Sequence, residues 1–320
     1  MRARHRRPNR LAYISLFLSL LVSANISAFQ NGSILSPRPS SLETEIYSRA
    51  RTVVDMTRDE LIKAYPADLP NLEFAENQED LDTLLEKVGQ KVAAFFHDFP
   101  NTVSSEQVRR EKLRHDGSVE DSVTQKYNYS VSLDRIGGLD EGRTDKNGHA
   151  IAHERMSTNS LLTSGFVSLP MYFQLSHQFA SRFRYLGRER SGPRAYMIAF
   201  AQKPGVADII GLLGPTLTSP GAQLLYQGFA WVDPQTYQIV RMTTDLLAPR
   251  DDVMLSRVTS EIWFGEIQFK TISETFWLPQ EVLVTVDYNG DLYRNRHHYS
   301  DYQALTVSAQ DKITPPIIKK

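Results

Sequence analysis

The 320-residue chain contains no cysteine. That absence removes a disulfide framework, a thiol nucleophile, a cysteine-ligated zinc site and a lipid-anchored cysteine behind a leader. Short catalytic signatures are missing as well: there is no GxSxG elbow, phosphate-binding glycine loop, HExxH or dinucleotide fingerprint. No apolar run reaches the ~20 residues that cross a bilayer as a helix. Positive charge is scarce in the body of the chain. The formal net charge is −1, with 36 Lys+Arg against 37 Asp+Glu. Five arginines (Arg2, Arg4, Arg6, Arg7 and Arg10) fall within residues 1–28, and removing them leaves 31 basic against 37 acidic residues. A mildly acidic body lacks the basic footprint of a nucleic-acid binder.

What is present begins with an export pattern. Met1–Arg10 is basic, Leu11–Val22 is almost wholly apolar, and small residues follow at Ser23-Ala24 and Ile26-Ser27-Ala28. That order predicts a secretory signal peptide over 1–28, cleaved after Ala28 or Ala24. The apolar stretch is too short for a spanning helix, so the mature chain is expected to carry no transmembrane span and to reside in the periplasm or outside the cell. Residues 29–41, rich in Ser and Pro, read as a linker. One α+β domain is expected over 42–310, with helices in 42–98 and antiparallel strands in 101–310, followed by a tail at 311–320.

The pattern predicts short helices after Ser41 and after Thr57, where Thr57-Arg58-Asp59-Glu60 fits a capping box. A longer helix spans about Glu79 to His97, because Leu81, Leu84, Leu85, Val88, Val92, Phe95 and Phe96 recur at spacings of three and four. Beyond Pro100 the period changes to two. Val103–Leu113, Ser122–Leu133 and Ala150–Met156 read as strands, with 137–148 as a loop and 169–183 as a short helix. Alternation returns in Phe183–Arg190, Arg194–Gln202, Gly228–Val232, Tyr237–Thr243, Glu261–Lys270 and 282–288, and Asn289-Gly290 is a hairpin signal. A last strand is expected at Tyr299–Val307. Helices first and a meander afterwards predict helices packed on a large curved antiparallel sheet.

Candidate chemistry is thin. His149 and His153 share a strand face by their even spacing and are the available metal candidates, but no third ligand lies nearby. His297-His298 are adjacent, so their side chains point to opposite faces and cannot serve one site without a bulge. No catalytic residue and no cofactor are expected from this inventory. The segment Lys203–Leu225 is different: it combines several Gly and Pro with Ile209, Ile210, Leu212, Leu213 and Leu217. So much aliphatic surface on a flexible stretch should pack on the core, close over a cavity or meet a partner. Trp231, Trp263 and Phe269 are the aromatic candidates to line such a cavity, and they would equally build a plain core.

Gln227-Gly228-Phe229-Ala230-Trp231-Val232-Asp233-Pro234, followed by Tyr237-Gln238-Ile239-Val240-Arg241-Met242, resembles the hairpin of periplasmic lipoprotein-carrier (LolA-like) proteins. The resemblance implies an open half-barrel closed by helices around a hydrophobic cavity for acyl chains, with Arg241 helping to hold a lid. Longer stretches, from Leu85-Glu86-Lys87-Val88-Gly89 through Phe99-Pro100-Asn101 to Tyr299-Ser300-Asp301-Tyr302, look like exported proteins of Acidobacteria-type bacteria, a resemblance that implies no function. The resulting expectation is an exported protein that binds or carries a lipidic or other apolar ligand without covalent chemistry. Two alternatives stand beside it: an envelope interaction module with a filled core and a protein partner, and an envelope hydrolase using histidines and acids.

Overall fold

The computed structural model describes residues 41–305 apart from 134–138, 152–154, 158–159, 207–223 and 271. Three α-helices appear among the described residues: α1 (Ser41–Ser48), α2 (Arg58–Ala64) and α3 (Leu81–Asp98). The strands are β1 (Leu72–Phe74), β2 (Thr102–Leu113), β3 (Val119–Leu133), β4 (Leu139–Thr144), β5 (Ala150–Ile151), β6 (Arg155–Ser157), β7 (Ser160–Leu162), β8 (Ser181–Glu189), β9 (Tyr196–Gln202), β10 (Tyr226–Val232), β11 (Ile239–Leu246), β12 (Leu255–Gln268), β13 (Thr275–Tyr288) and β14 (Asp291–Ala304). Twelve of them form one antiparallel sheet in the order β1-β8-β9-β10-β11-β12-β13-β14-β2-β3-β4-β5, and β6 pairs with β7 separately.

From β8 to β14 the sheet is a plain meander. The Asn289-Gly290 turn joins β13 to β14 with both residues at positive φ (52° and 80°), the geometry of a tight hairpin whose twist matches its strands. That turn lets β14 start at Asp291, well before the expected Tyr299. The N-terminal strands then attach to the last one, with Leu292 opposite Leu113 and Ala304 opposite Thr102. Leu139–Thr144 is a strand where a loop was expected, because it pairs with residues 128–133 of β3. The stretch 169–183 holds two 3-10 turns, Leu169–Phe173 and Gln178–Ala180, in place of a helix.

Burial explains where the helices go. Every residue of β10 is buried, and so is every residue of β9 after Tyr196, which demands cover on both sides of the sheet. Ile198, Phe200, Tyr226 and Ala230 point to one side, into a cluster with Leu84, Val88, Val92 and Phe96 of α3. Met197, Ala199, Phe229 and Trp231 point to the other, where they meet Val53, Leu61, Leu69 and Leu72. β1 pairs with β8 at the sheet edge and carries the chain round from the second side to the first.

The expected α+β half-barrel, with helices 42–98 packed on one curved face, is therefore corrected. The fold is dominated by the sheet, the sheet is not closed, and the helices do not form a layer. α1 and α2 are only 8 and 7 residues long, too short to carry a broad apolar stripe, and they serve the opposite side from α3. Where α3 meets β12 and β13 the packing is close. About 20 Å³ lies between Val92, Phe95, Val167, Phe264 and Trp277, and the Phe95 and Phe99 rings lie 6.1 Å from that of Phe276.

Candidate functional site

Among the described residues no helix covers the face of the sheet away from α3 from β12 through β3, and register builds a row of side chains across it. Trp231 pairs with Arg241, Arg241 with Trp263, Trp263 with Glu281, and Glu281 with His298. Directly opposed antiparallel residues share a face, so these five side chains stand side by side. The Arg241 guanidinium lies 4.0 Å from the Trp231 ring centre and 5.8 Å from that of Trp263. Its Nε donates to Glu261 Oε1 at 2.7 Å and its Nη2 to Asp68 Oδ1 at 2.6 Å. Burial lifts the Glu261 carboxyl above its ordinary value, against the pull of Arg241.

A groove of about 460 Å³ opens beside this stack, lined by Trp263, Glu281, Val282, Leu283 and Arg296. Trp263 is 38% exposed, unusual for an indole with no covering element. Leu283 and Arg296 are register partners, so an aliphatic and a cationic side chain sit together on the groove floor. Arg296 belongs to a charge cluster around Glu111, whose buried carboxylate accepts from Arg294 Nε at 2.5 Å and forms ion pairs with Arg109 Nε at 2.9 Å and Arg296 Nε at 3.8 Å. Three guanidinium groups share that one carboxylate, and the nearby Glu281 is paired with His298. The groove thus sets apolar Trp263 and Leu283 beside the cationic Arg296, with Glu281 and its partner His298 at one side.

Of the residues singled out from sequence, Trp231, Arg241 and Trp263 come together on the side of the sheet away from α3, with Trp231 buried in the second cluster and Trp263 exposed. Phe269 is separated from them, buried in the main core with its ring 5.7 Å from Phe276. Ile209, Ile210, Leu212, Leu213, Leu217 and His153 lie outside the described residues. His149 is exposed and pairs with Asp145 across 3.1 Å, and among the described residues no group of three or more His, Asp or Glu is placed to hold a metal ion.

A second polar constellation was not singled out from sequence. On the α3 side of β2 and β14, Asn295 Nδ2 donates to Thr163 Oγ1 at 3.1 Å, and Thr163 Oγ1 lies 3.1 Å from His297 Nε2. His297 Nδ1 lies 2.9 Å from Glu106 Oε1, which also accepts from Arg143 Nη2 at 2.7 Å. Burial keeps His297 below its ordinary pKa and hence neutral, so its Nδ1–H donates to Glu106 and its Nε2 accepts from Thr163. Burial alone would push the Glu106 carboxyl up, but Arg143 and His297 outweigh it and hold it down to about 2. The order hydroxyl–imidazole–carboxylate is that of a nucleophilic relay. Access is lacking: Thr163 is 1% exposed and His297 and Glu106 are fully buried. Gly165 N and Val167 N both donate to the Glu141 carboxylate, which pins the covering segment in place. The relay fastens segment 161–167 to the sheet. The sequence signals for it are His297, whose partners no local pattern names, and the polar residues at the inward positions of β2, which alternation alone reads as an ordinary solvated face.

A smaller cleft of about 330 Å³ lies between α3 and the β9 end, lined by Asp80, Thr83, Lys87, Arg188, Tyr196 and Tyr237. Its cations are already engaged: Lys87 sits 4.5 Å over the Tyr237 ring and Arg188 4.5 Å over that of Tyr196. The groove at Trp263 offers the less committed surface.

No family model matches the chain, and no curated protein matches it. Among solved structures it is similar to a DUF1329 family protein from Desulfovibrio piger, at 12% identity and a TM-score of 0.38, covering 72% of this chain and 95% of that one. It is also similar to MucB in complex with MucA(peri), at 11% identity and a TM-score of 0.17, covering 70% and 94%. The Pseudomonas aeruginosa MucA/MucB complex gives 12% identity and a TM-score of 0.17, covering 71% and 94%. Superpositions this loose carry nothing about function. None of these matches supports the resemblance to exported proteins of Acidobacteria-type bacteria. No described helix is long and apolar enough to cross a membrane.

Proposed function

We propose that the protein is an exported, non-catalytic binding protein that takes an amphiphilic ligand, an acyl chain with an anionic head, on the open face of its sheet. The observation that carries this reading is the groove in which half-exposed Trp263 and Leu283 stand beside Arg296. Trp263 and Leu283 would take the chain, with affinity from apolar area at roughly 25 cal/mol per Å² before the costs of association. Arg296, whose nearest carboxylate is 3.8 Å away, would take the head. Export rests on the basic–apolar–small order of residues 1–28. The close packing of Val92 and Phe95 on Phe264 and Trp277 favours the outer face over the α3 side as the ligand site.

The test is a tryptophan-fluorescence titration with dodecanoate, paired with native mass spectrometry of protein purified without detergent and analysis of its organic extract. Saturable binding is expected, weakened at least about fivefold by Trp263→Ala and by Arg296→Glu, and unchanged by His149→Ala. Binding that survives both groove substitutions, or no saturable binding at all, overturns the proposal.

A further inference from the structure

A different part of the sheet points to a partner of its own kind. β3 is 15 residues long, yet β4 pairs only with its residues 128–133. Residues 119–127 pair with β2 on one side, and among the described residues no strand pairs with their other side. Residues 119–126 are exposed without interruption, so neither face of this stretch is covered. Val119 and Val123 are 36% and 38% exposed there. No described strand takes up the outer backbone groups of 120–126, although Ser122 N–H donates to Asp121 Oδ1 at 2.8 Å and must leave it for a new partner. Such an edge is a template for another strand, which monomeric proteins ordinarily blunt with a bulge, a proline, a short strand or charged side chains. The charges here, Glu120, Asp121 and Lys126, are of both signs. The β2–β3 register runs unbroken from Thr102↔Val131 to Lys112↔Asp121, its one shift falling at the hairpin end, and no proline interrupts 119–127.

The side chains of this edge complement themselves. In an antiparallel pairing of two copies centred on Val123, each Val123 meets the other, Glu120 faces Lys126, Asp121 faces Gln125 and Ser122 faces Thr124. The two-fold axis repeats each pair. Opposed residues share a face, so the valine contact and the Asp121–Gln125 pairs lie on one side and the two Glu120–Lys126 ion pairs on the other. No like charges are opposed in this register. The neighbouring registers that keep outward backbone groups facing one another lie two residues away, and both lose the Val123–Val123 contact and the Glu120–Lys126 pairs.

We infer that residues 120–126 of β3 form an isologous strand-to-strand interface between two copies of this chain, joining two twelve-stranded sheets edge to edge. The contact is small, so it belongs to the weak, reversible class, with a dissociation constant on the order of tens of micromolar. It is independent of the groove at Trp263, which lies four strands away in the sheet.

Charge reversal tests both the surface and the register. Sedimentation equilibrium of the purified protein over about 5–500 µM is expected to show a monomer–dimer equilibrium. Glu120→Lys alone and Lys126→Glu alone each set like charges opposite one another twice per dimer, and each should raise the dissociation constant about tenfold. The double variant Glu120→Lys/Lys126→Glu restores both pairs and should return to within about threefold of the starting value. An equimolar mixture of the two single variants should form a heterodimer of similar affinity. These positions are exposed, and an unchanged circular dichroism spectrum confirms that the variants fold. A strict monomer across the range overturns the inference. So does a dimer indifferent to the single reversals, or single losses that neither the double variant nor the mixture repairs.

Discussion

The carboxylate of Glu106 sits in the sheet interior with Arg143 and His297 as its partners, and the guanidinium of Arg143 is equally buried. Removing one side of such a pair strands the other charge away from water. Glu106→Gln keeps the shape but leaves Arg143 without a counter-charge, and it should cost about 3–5 kcal/mol, read from the urea midpoint at constant m-value. The same groups set a pH dependence. His297 has a folded pKa below its ordinary 6.5, so on acidification the unfolded chain binds that proton first and stability falls as pH drops through 6.5. Glu106 has a folded value near 2 against an ordinary 4.5, so its contribution is full above 4.5 and is lost as pH falls toward 2. Calorimetric melting temperatures should therefore decline in two stages below pH 7, and Glu106→Gln should flatten the lower one. At this scale the sequence was only half legible. The adjacent His297 and His298 do point to opposite faces, one fully buried and the other paired with Glu281 on the surface. That Glu106, Arg143, Thr163 and His297 converge depends on pairing residues up to 191 positions apart, which no local pattern encodes.

Among the elements, those with local causes could be read in advance. Thr57 and Glu60 make both halves of the capping box at the start of α2, and the three–four spacing placed α3 within a few residues. The sides of the sheet these helices serve could not be read, because α1 and α2 gain their partners only after β1 turns the edge. β10 illustrates a constraint of another kind. A Cβ on Gly228 would stand 1.9 Å from the Thr243 carbonyl oxygen, a backbone atom of the neighbouring strand that cannot swing aside. Gly228→Ala should force β10 from β11 and destabilise the protein by more than about 2 kcal/mol, the scale of an overpacked core. The control is Gly117→Ala in the β2–β3 turn, where nothing lies within 4 Å but φ is +82°, so its cost should be confined to about 1 kcal/mol of local backbone strain. Thermal or urea unfolding of the two variants separates packing from strain.

Across the whole molecule, one sheet runs from strands covered on both sides to strands covered on neither. β9 and β10 lie between two apolar clusters, whereas residues 119–126 are exposed throughout. Amide hydrogen exchange should follow that gradient, slowest in β9 and β10 and fastest in the outer half of the β2–β3 hairpin, with protection of 120–126 rising as protein concentration is raised. An even protection profile would contradict the asymmetry of the core.

The junction of β14 with β2 has a consequence for the chain as it is made. Leu113 and its sheet neighbour Leu292 are 179 positions apart, so a ribosome working at 5–20 residues per second leaves β2 waiting roughly 10–40 seconds for its partner. During that interval Glu106 and Arg143 exist without His297, and the inner edge of β2 has nothing to pair with. The sheet cannot be completed in the order of synthesis; its middle closes last, when the final described strand slots between two halves already laid down.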